Sequence, residues 1–174
     1  MLCTCAARGW ERRGYRLPQH PLQQELLALV EDAAQTSAVR TAVDGCGVVT
    51  FAFPLAATAN AFARLVMGEL AGVREIVAAM TSRPDLVEGP GHAATEIMVA
   101  LPGAVAKGGA EGLLCIGLPD GTGIALKTED GAARATLPAA AQLLGISALT
   151  EIPTENSRGE EVGKIRPSPS PQAL

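Results

Sequence analysis

The sequence predicts an α+β fold in which an antiparallel sheet is flanked by helices. Two observations point there. Residues 113–118 form an apolar run, Pro119-Asp120-Gly121 supplies turn residues, and a second apolar run begins at Gly123 and reaches Lys127, so the stretch reads as a hairpin. Around it lie four or five stretches with apolar residues at helical spacing. A two-stranded ribbon alone has too little surface to be stable, so other strands must join it.

Taken in order, residues 1–17 read as an irregular, basic connection with Arg8, Arg12, Arg13 and Arg16 in solvent. Pro21 fits the first position of a helix, and Leu22, Leu26, Leu27, Val30 and Ala34 share one face while Glu25, Glu31 and Asp32 lie opposite. His20, just before that helix, reads as a hydrogen-bonding residue at its start. A second helix over 55–67 stops at Gly68, and a third over 70–80 is broken by Arg83-Pro84. Their apolar stripes read as core. Gly89-Pro90-Gly91-His92 is a loop with His92 at the surface, and a short helix over 94–101 leads through Pro102-Gly103 into the hairpin. A last helix starts at Pro138 and closes at Gly145. Beyond Glu151 the apolar period fades, which divides the chain into a domain portion, 1–163, and a proline- and serine-rich tail, 164–174.

Composition bounds the partners. The 174 residues, 48% hydrophobic and 18% charged, suit one domain or a large part of one. Aromatic residues make up only 3%, so the core rests on small and aliphatic side chains that bury less area each. A net charge of -4 with 14 scattered Lys and Arg argues against a nucleic-acid partner. No window reaches eighteen uninterrupted apolar residues and no secretory signal opens the chain, so we expect a cytoplasmic protein with no membrane partner. Cys3, Cys5, Cys46 and Cys115 then read as reduced thiols or metal ligands, and the Cys-x-Cys pair lacks the second pair a zinc ribbon needs.

Two stretches carry candidate chemistry. Lys107 precedes Gly108-Gly109, which removes side-chain bulk beside an amine and lets a ligand approach the backbone; the same residues also fit a plain surface hairpin with a solvated lysine. Asp44-Gly45-Cys46-Gly47 fits either a tight turn around a buried structural cysteine or an extended segment whose residues i and i+2 face one cavity.

Lys107-Gly108-Gly109, Glu111-Gly112 and Gly123-Ile124-Ala125-Leu126-Lys127 resemble the signature of the bacterial L-asparaginase II family of the thermolabile, Rhizobium-type class. Further blocks agree in order: Met1-Leu2 with Cys5, Ala7-Arg8-Gly9-Trp10 and Tyr15; His20-Pro21-Leu22-Gln23; Asp44-Gly45-Cys46-Gly47-Val48 with Phe51-Ala52; and Asn156-Ser157-Arg158-Gly159 with Val162-Gly163. The family is similar in fold to serine beta-lactamases, penicillin-binding proteins and glutaminases, in which a Lys-Thr-Gly strand motif corresponds to Lys107-Gly108-Gly109. The resemblance implies hydrolysis of asparagine to aspartate and ammonia by a serine nucleophile activated by a lysine. Lys107 would be catalytic, Asp44 would bind the substrate ammonium, and Cys46 would ligate zinc.

The sequence lacks the family's Ser-x-x-Lys motif and the Cys-Ser-Gly-Lys-His segment that supplies the other zinc ligands, so it resembles a C-terminal half, incomplete at its N-terminus. The implied partners are a small-molecule substrate and a second copy of the chain or a complementing N-terminal half. The alternative is a non-catalytic remnant that completes another chain through its sheet edge.

Overall fold

The computed structural model describes residues 1–37 and 39–168, and its backbone divides into two compact units, Met1–Ala61 and Phe62–Leu174. The fold is α+β, with small antiparallel sheets flanked by helices.

In the first unit, α1 (Leu2–Ala7) replaces the irregular connection expected at the start of the chain, with Cys5 fully buried on it. Its six residues carry no capping side chain, so the helix rests on packing rather than on a local start signal. By contrast α2 (Pro21–Ala34) begins where the sequence places it, with Pro21 in the first turn. His20 caps it: Nδ1 accepts from the Leu22 N–H at 3.1 Å, and Nε2 donates to the Glu11 carbonyl at 2.7 Å. Two short strands, β1 (Arg40–Val43) and β2 (Val49–Ala52), pair antiparallel with Val43 opposite Val49. Every residue of β1 is exposed, and Val49 is the one buried residue of β2. Next, α3 (Leu55–Val66) runs across the division between the units.

The second unit holds the larger core. Here α4 (Val73–Ser82) is followed by a 3-10 turn at Pro84–Leu86 and by α5 (Ala93–Ala100). The predicted hairpin exists as β4 (Leu113–Gly117) and β5 (Gly123–Lys127), closed by a turn in which the Gly121 N–H donates to the Leu118 carbonyl at 2.9 Å. Pro119 presets that turn, and Gly121 at φ +88° closes it. The strand that covers it is β3 (Val105–Gly109), which contains Lys107-Gly108-Gly109 and pairs with β4 to give the order β3-β4-β5. Lysine and glycine are poor strand formers, so β3 owes its form to pairing with the apolar β4. After the sheet come α6 (Thr136–Leu144), stopped by Gly145 at φ +71°, and a final hairpin, β6 (Ile152–Glu155) with β7 (Glu161–Ile165).

Strand alternation sorts the central sheet into two faces. Ala106, Leu114, Ile116, Ile124 and Leu126 share one, packed with Ala94, Ile97 and Met98 of α5 and with Leu137 and Ala140 of α6. On the other, the close approach of the Phe62 carbonyl leaves no room for a Cβ at Gly117, so glycine is required where the end of α3 meets β4.

Two expectations need correction. The apolar stripes of α3 and α4 are core only in part: Met80 packs against the buried cluster, but α3 has no fully buried residue, α4 has only Val73, and Met67 and Ile76 are about half exposed (51% and 50%). The last strand continues through Lys164 and Ile165, into the stretch read as tail, because cross-strand pairing with Pro153 and Ile152 orders it without an apolar period. Of the tail, residues 169–174 lie outside the described residues. Of the two arrangements open to Asp44-Gly45-Cys46-Gly47, the structure takes the turn, as described below.

Candidate active site

Lys107 lies at the centre of β3, opposite Cys115 of β4. Alternation turns its side chain away from the face occupied by Ala106, and 50% of it remains exposed. Its ammonium is partnered: Nζ donates to Glu88 Oε1 at 2.7 Å and to its neighbour's carbonyl, Gly108 O, at 2.9 Å. The same Glu88 oxygen accepts the Gly108 N–H at 2.7 Å. Glycine at 108 makes this possible, since a Cβ there would stand 2.5 Å from Glu88 Oε1. The glycine identified as opening the strand to a ligand thus opens it to a carboxylate of the chain itself.

Glu88, with 17% of its side chain exposed, is the more enclosed partner. Burial pushes its carboxyl up, yet the Lys107 ammonium and the Gly108 N–H more than offset this, helped by the Ala94 N–H at the start of α5. The net result is a carboxyl held below its ordinary range and therefore ionised at neutral pH. Sequence reasoning missed Glu88: it sits 19 residues before Lys107 in a connection with no periodic pattern, so only the folded chain pairs them.

A cleft of about 610 Å³ opens beside this pair, within the span of roughly 300–1,000 Å³ usual for small-molecule sites. Its polar lining includes Glu88, His92, Lys107 and Arg134, and its apolar wall includes Leu113, Leu137, Ile152 and Ile165. His92 is an exposed loop residue at the start of α5, as expected, but it also borders this cleft. Arg134 is paired with Asp130 at 2.5 Å. The second lysine of the motif plays another part: the Lys127 ammonium donates to the carbonyls of Glu111 and Thr128, closing the backbone where β4 begins.

Asp44 and Cys46 form the tip of the β1–β2 hairpin in the first unit. The Gly47 N–H donates to the Asp44 carbonyl at 2.8 Å and the Asp44 N–H to Val48 O at 2.8 Å, which makes residues 44–47 a β-turn. Aspartate at its first position and glycine at its fourth, here at φ +78°, are the residues such a turn favours. Asp44 and Cys46 still share a side, with Sγ 3.6 Å from Asp44 Oδ2, but both are exposed, so Cys46 is not a buried structural thiol. As zinc donors they amount to one thiol and one carboxylate. Among the described residues no group of three or more His, Cys, Asp or Glu could hold a metal ion, so the residues present do not make up a tetrahedral zinc set.

The remaining cysteines differ in kind. Cys3 is exposed, Cys5 and Cys115 are buried, and burial pushes the Cys115 thiol up to about 11. It is therefore protonated at neutral pH and is no candidate nucleophile.

The sequence model for L-asparaginase II matches residues 1–167, a span that contains Asp44, Cys46, Glu88 and Lys107. The chain belongs to the L-asparaginase II family. No curated protein matches it. Membership supports an asparaginase-type, amidohydrolase function with a small-molecule substrate, and the cleft beside Lys107 has the size for one. Among the described residues of this asparaginase II chain, no helix is long and apolar enough to cross a membrane.

Proposed function

We propose that the chain contributes to the site of an L-asparaginase, which hydrolyses the side-chain amide of asparagine to aspartate and ammonia. The observation that carries this reading is the position of Lys107, on the Lys-Gly-Gly strand of an asparaginase II family member and at a cleft of substrate size. In this mechanism a serine, activated by a neighbouring lysine, attacks the amide carbon and releases ammonia; water then cleaves the acyl-enzyme. No Ser-x-x-Lys occurs in the 174 residues, so we assign the serine and its base to residues outside them. Lys107 acts on their chemistry through its charge. A second ammonium near the base lysine favours that base in its neutral form, and it attracts the substrate carboxylate. The family resemblance also implies a substrate-binding role for Asp44. Cys46 would supply one thiolate to a zinc site whose other ligands lie outside these residues, and no step of the reaction runs through that metal.

Ammonia release tests the reading. The 174-residue chain alone is expected to give no turnover of asparagine above background, and addition of the family's N-terminal portion is expected to restore it. In that complemented protein Lys107→Ala should lower turnover by roughly 10²-fold or more while leaving the unfolding midpoint nearly unchanged. Wild-type turnover in the Lys107 variant would remove this lysine from the site.

A further inference from the structure

We propose that Glu88 is the positioning residue for Lys107, fixing the amine and the strand that carries it as one unit. The inference rests on the placement of Lys107 in the asparaginase site. Three features support it. A single oxygen of Glu88 accepts from both Lys107 Nζ and the Gly108 N–H, each at 2.7 Å, so the side chain and the backbone of β3 are tied to one point. Glu88 precedes α5 in the chain, so this point lies outside β3, 19 residues before the lysine it holds. Lys107 is half exposed, whereas Glu88 is largely enclosed, so the carboxylate is the anchor and the lysine is the group it holds.

A four-carbon side chain free in solvent samples many rotamers, and a charge acting on a reacting group is effective only in a narrow set of them. Glu88 selects that set and leaves half of the lysine open toward the cleft. Gly108 belongs to the same device, because any side chain there would displace the carboxylate.

Two measurements test this independently. On the 174-residue chain, acylation of lysine amines by an N-hydroxysuccinimide ester, read peptide by peptide, should be roughly two- to fivefold faster at Lys107 in Glu88→Gln and Glu88→Ala than in wild type, the scale set by a partly exposed ion pair. Lys127, whose amine lies on backbone carbonyls, should label at an unchanged rate and serves as the internal control. Glu88→Gln retains an oxygen for the Gly108 N–H, so it keeps the strand in place if Glu88→Ala does not fold. An unchanged Lys107 rate in Glu88→Gln would overturn the proposal. In the complemented, asparagine-hydrolysing protein, Glu88→Gln should lower kcat roughly 10- to 100-fold with KM within about twofold, and Glu88→Asp should recover part of the loss. A rise in kcat/KM would also overturn it, since it would show that the carboxylate competes with substrate for the lysine. If wild-type protein hydrolyses no asparagine, the proposed function fails, while the labelling result still decides whether Glu88 holds Lys107.

Discussion

Lys107-Gly108-Gly109 and Asp44-Gly45-Cys46-Gly47 look alike as sequence, each placing reactive side chains among glycines, but the chain builds very different surroundings for them. Lys107 sits on a strand paired to β4, whose Leu114, Cys115 and Ile116 are all buried, and its amine is held by an enclosed carboxylate. Asp44 and Cys46 stand at the tip of a hairpin whose first strand is exposed throughout. The difference teaches that glycine serves opposite ends in the two places. At Gly108 it admits a neighbouring group to the backbone, whereas at Gly47 it supplies the positive φ that reverses the chain.

The largest effect that would sharpen the contrast is thiol reactivity. Cys46 should react with a disulfide reagent at pH 8 at the rate of an open thiol, whereas Cys115, buried and pushed up to about 11, should react slower by orders of magnitude until the protein unfolds. Equal rates in the folded protein would mean that the β3–β4 face is not closed.

Stability comes next. Leu114→Ala removes a fully buried side chain behind the Lys107 strand and should cost about 2–5 kcal/mol, while Val43→Ala at the base of the other hairpin, where Val43 is 71% exposed, should stay within about 0.5 kcal/mol. Denaturant midpoints of the two variants would break the comparison if they agreed.

A smaller effect concerns acid. Because Glu88 is held below its ordinary range when folded, its contribution is present above the unfolded value and is lost as pH falls through the lower, folded one. Wild type should therefore lose stability in that range more steeply than Glu88→Gln, and superimposable acid unfolding curves would count against the clamp. Smallest of all, Cys46→Ser should change the unfolding free energy by no more than about 0.5 kcal/mol, since the thiol is exposed and a serine hydroxyl can also donate to the exposed Asp44 carboxylate. Dialysis against a weak chelator should leave neither protein with stoichiometric zinc. A tightly held ion that survives the substitution would reassign the ligand.

Much of this was legible in the chain. The start of α2 at Pro21, the capping role of His20, the β4–β5 hairpin and the stop of α6 at Gly145 each rest on a local signal that the fold leaves in force. What was not legible depends on partners remote in sequence. Nothing in the spacing of Lys107-Gly108-Gly109 demands a third strand; the apolar β4 beside it does. The β6–β7 hairpin has little apolar alternation to read, and α1 has no cap. The turn at 44–47 was one of two arrangements its residues allowed, and hydrogen bonding to Val48 selected it. Glu88 carried no pattern at all, because a charge clamp is defined by two donors, Lys107 Nζ and the Gly108 N–H, that meet it only after folding.

The pairing of Ile152 with Ile165 has one more consequence. These two side chains line the cleft, and they are the two partly buried apolar side chains at the open end of a ribbon whose β7 residues from Glu161 to Lys164 are all exposed. Local opening costs least where few apolar contacts must be broken, so this wall of the cleft should detach at a free energy far below that of the β3–β4–β5 core. A protease would cut the ribbon first at its tip, near Arg158, and leave the sheet intact. The Ile152–Ile165 wall of the cleft is then the moving part, and the amine beside Glu88 the stationary one.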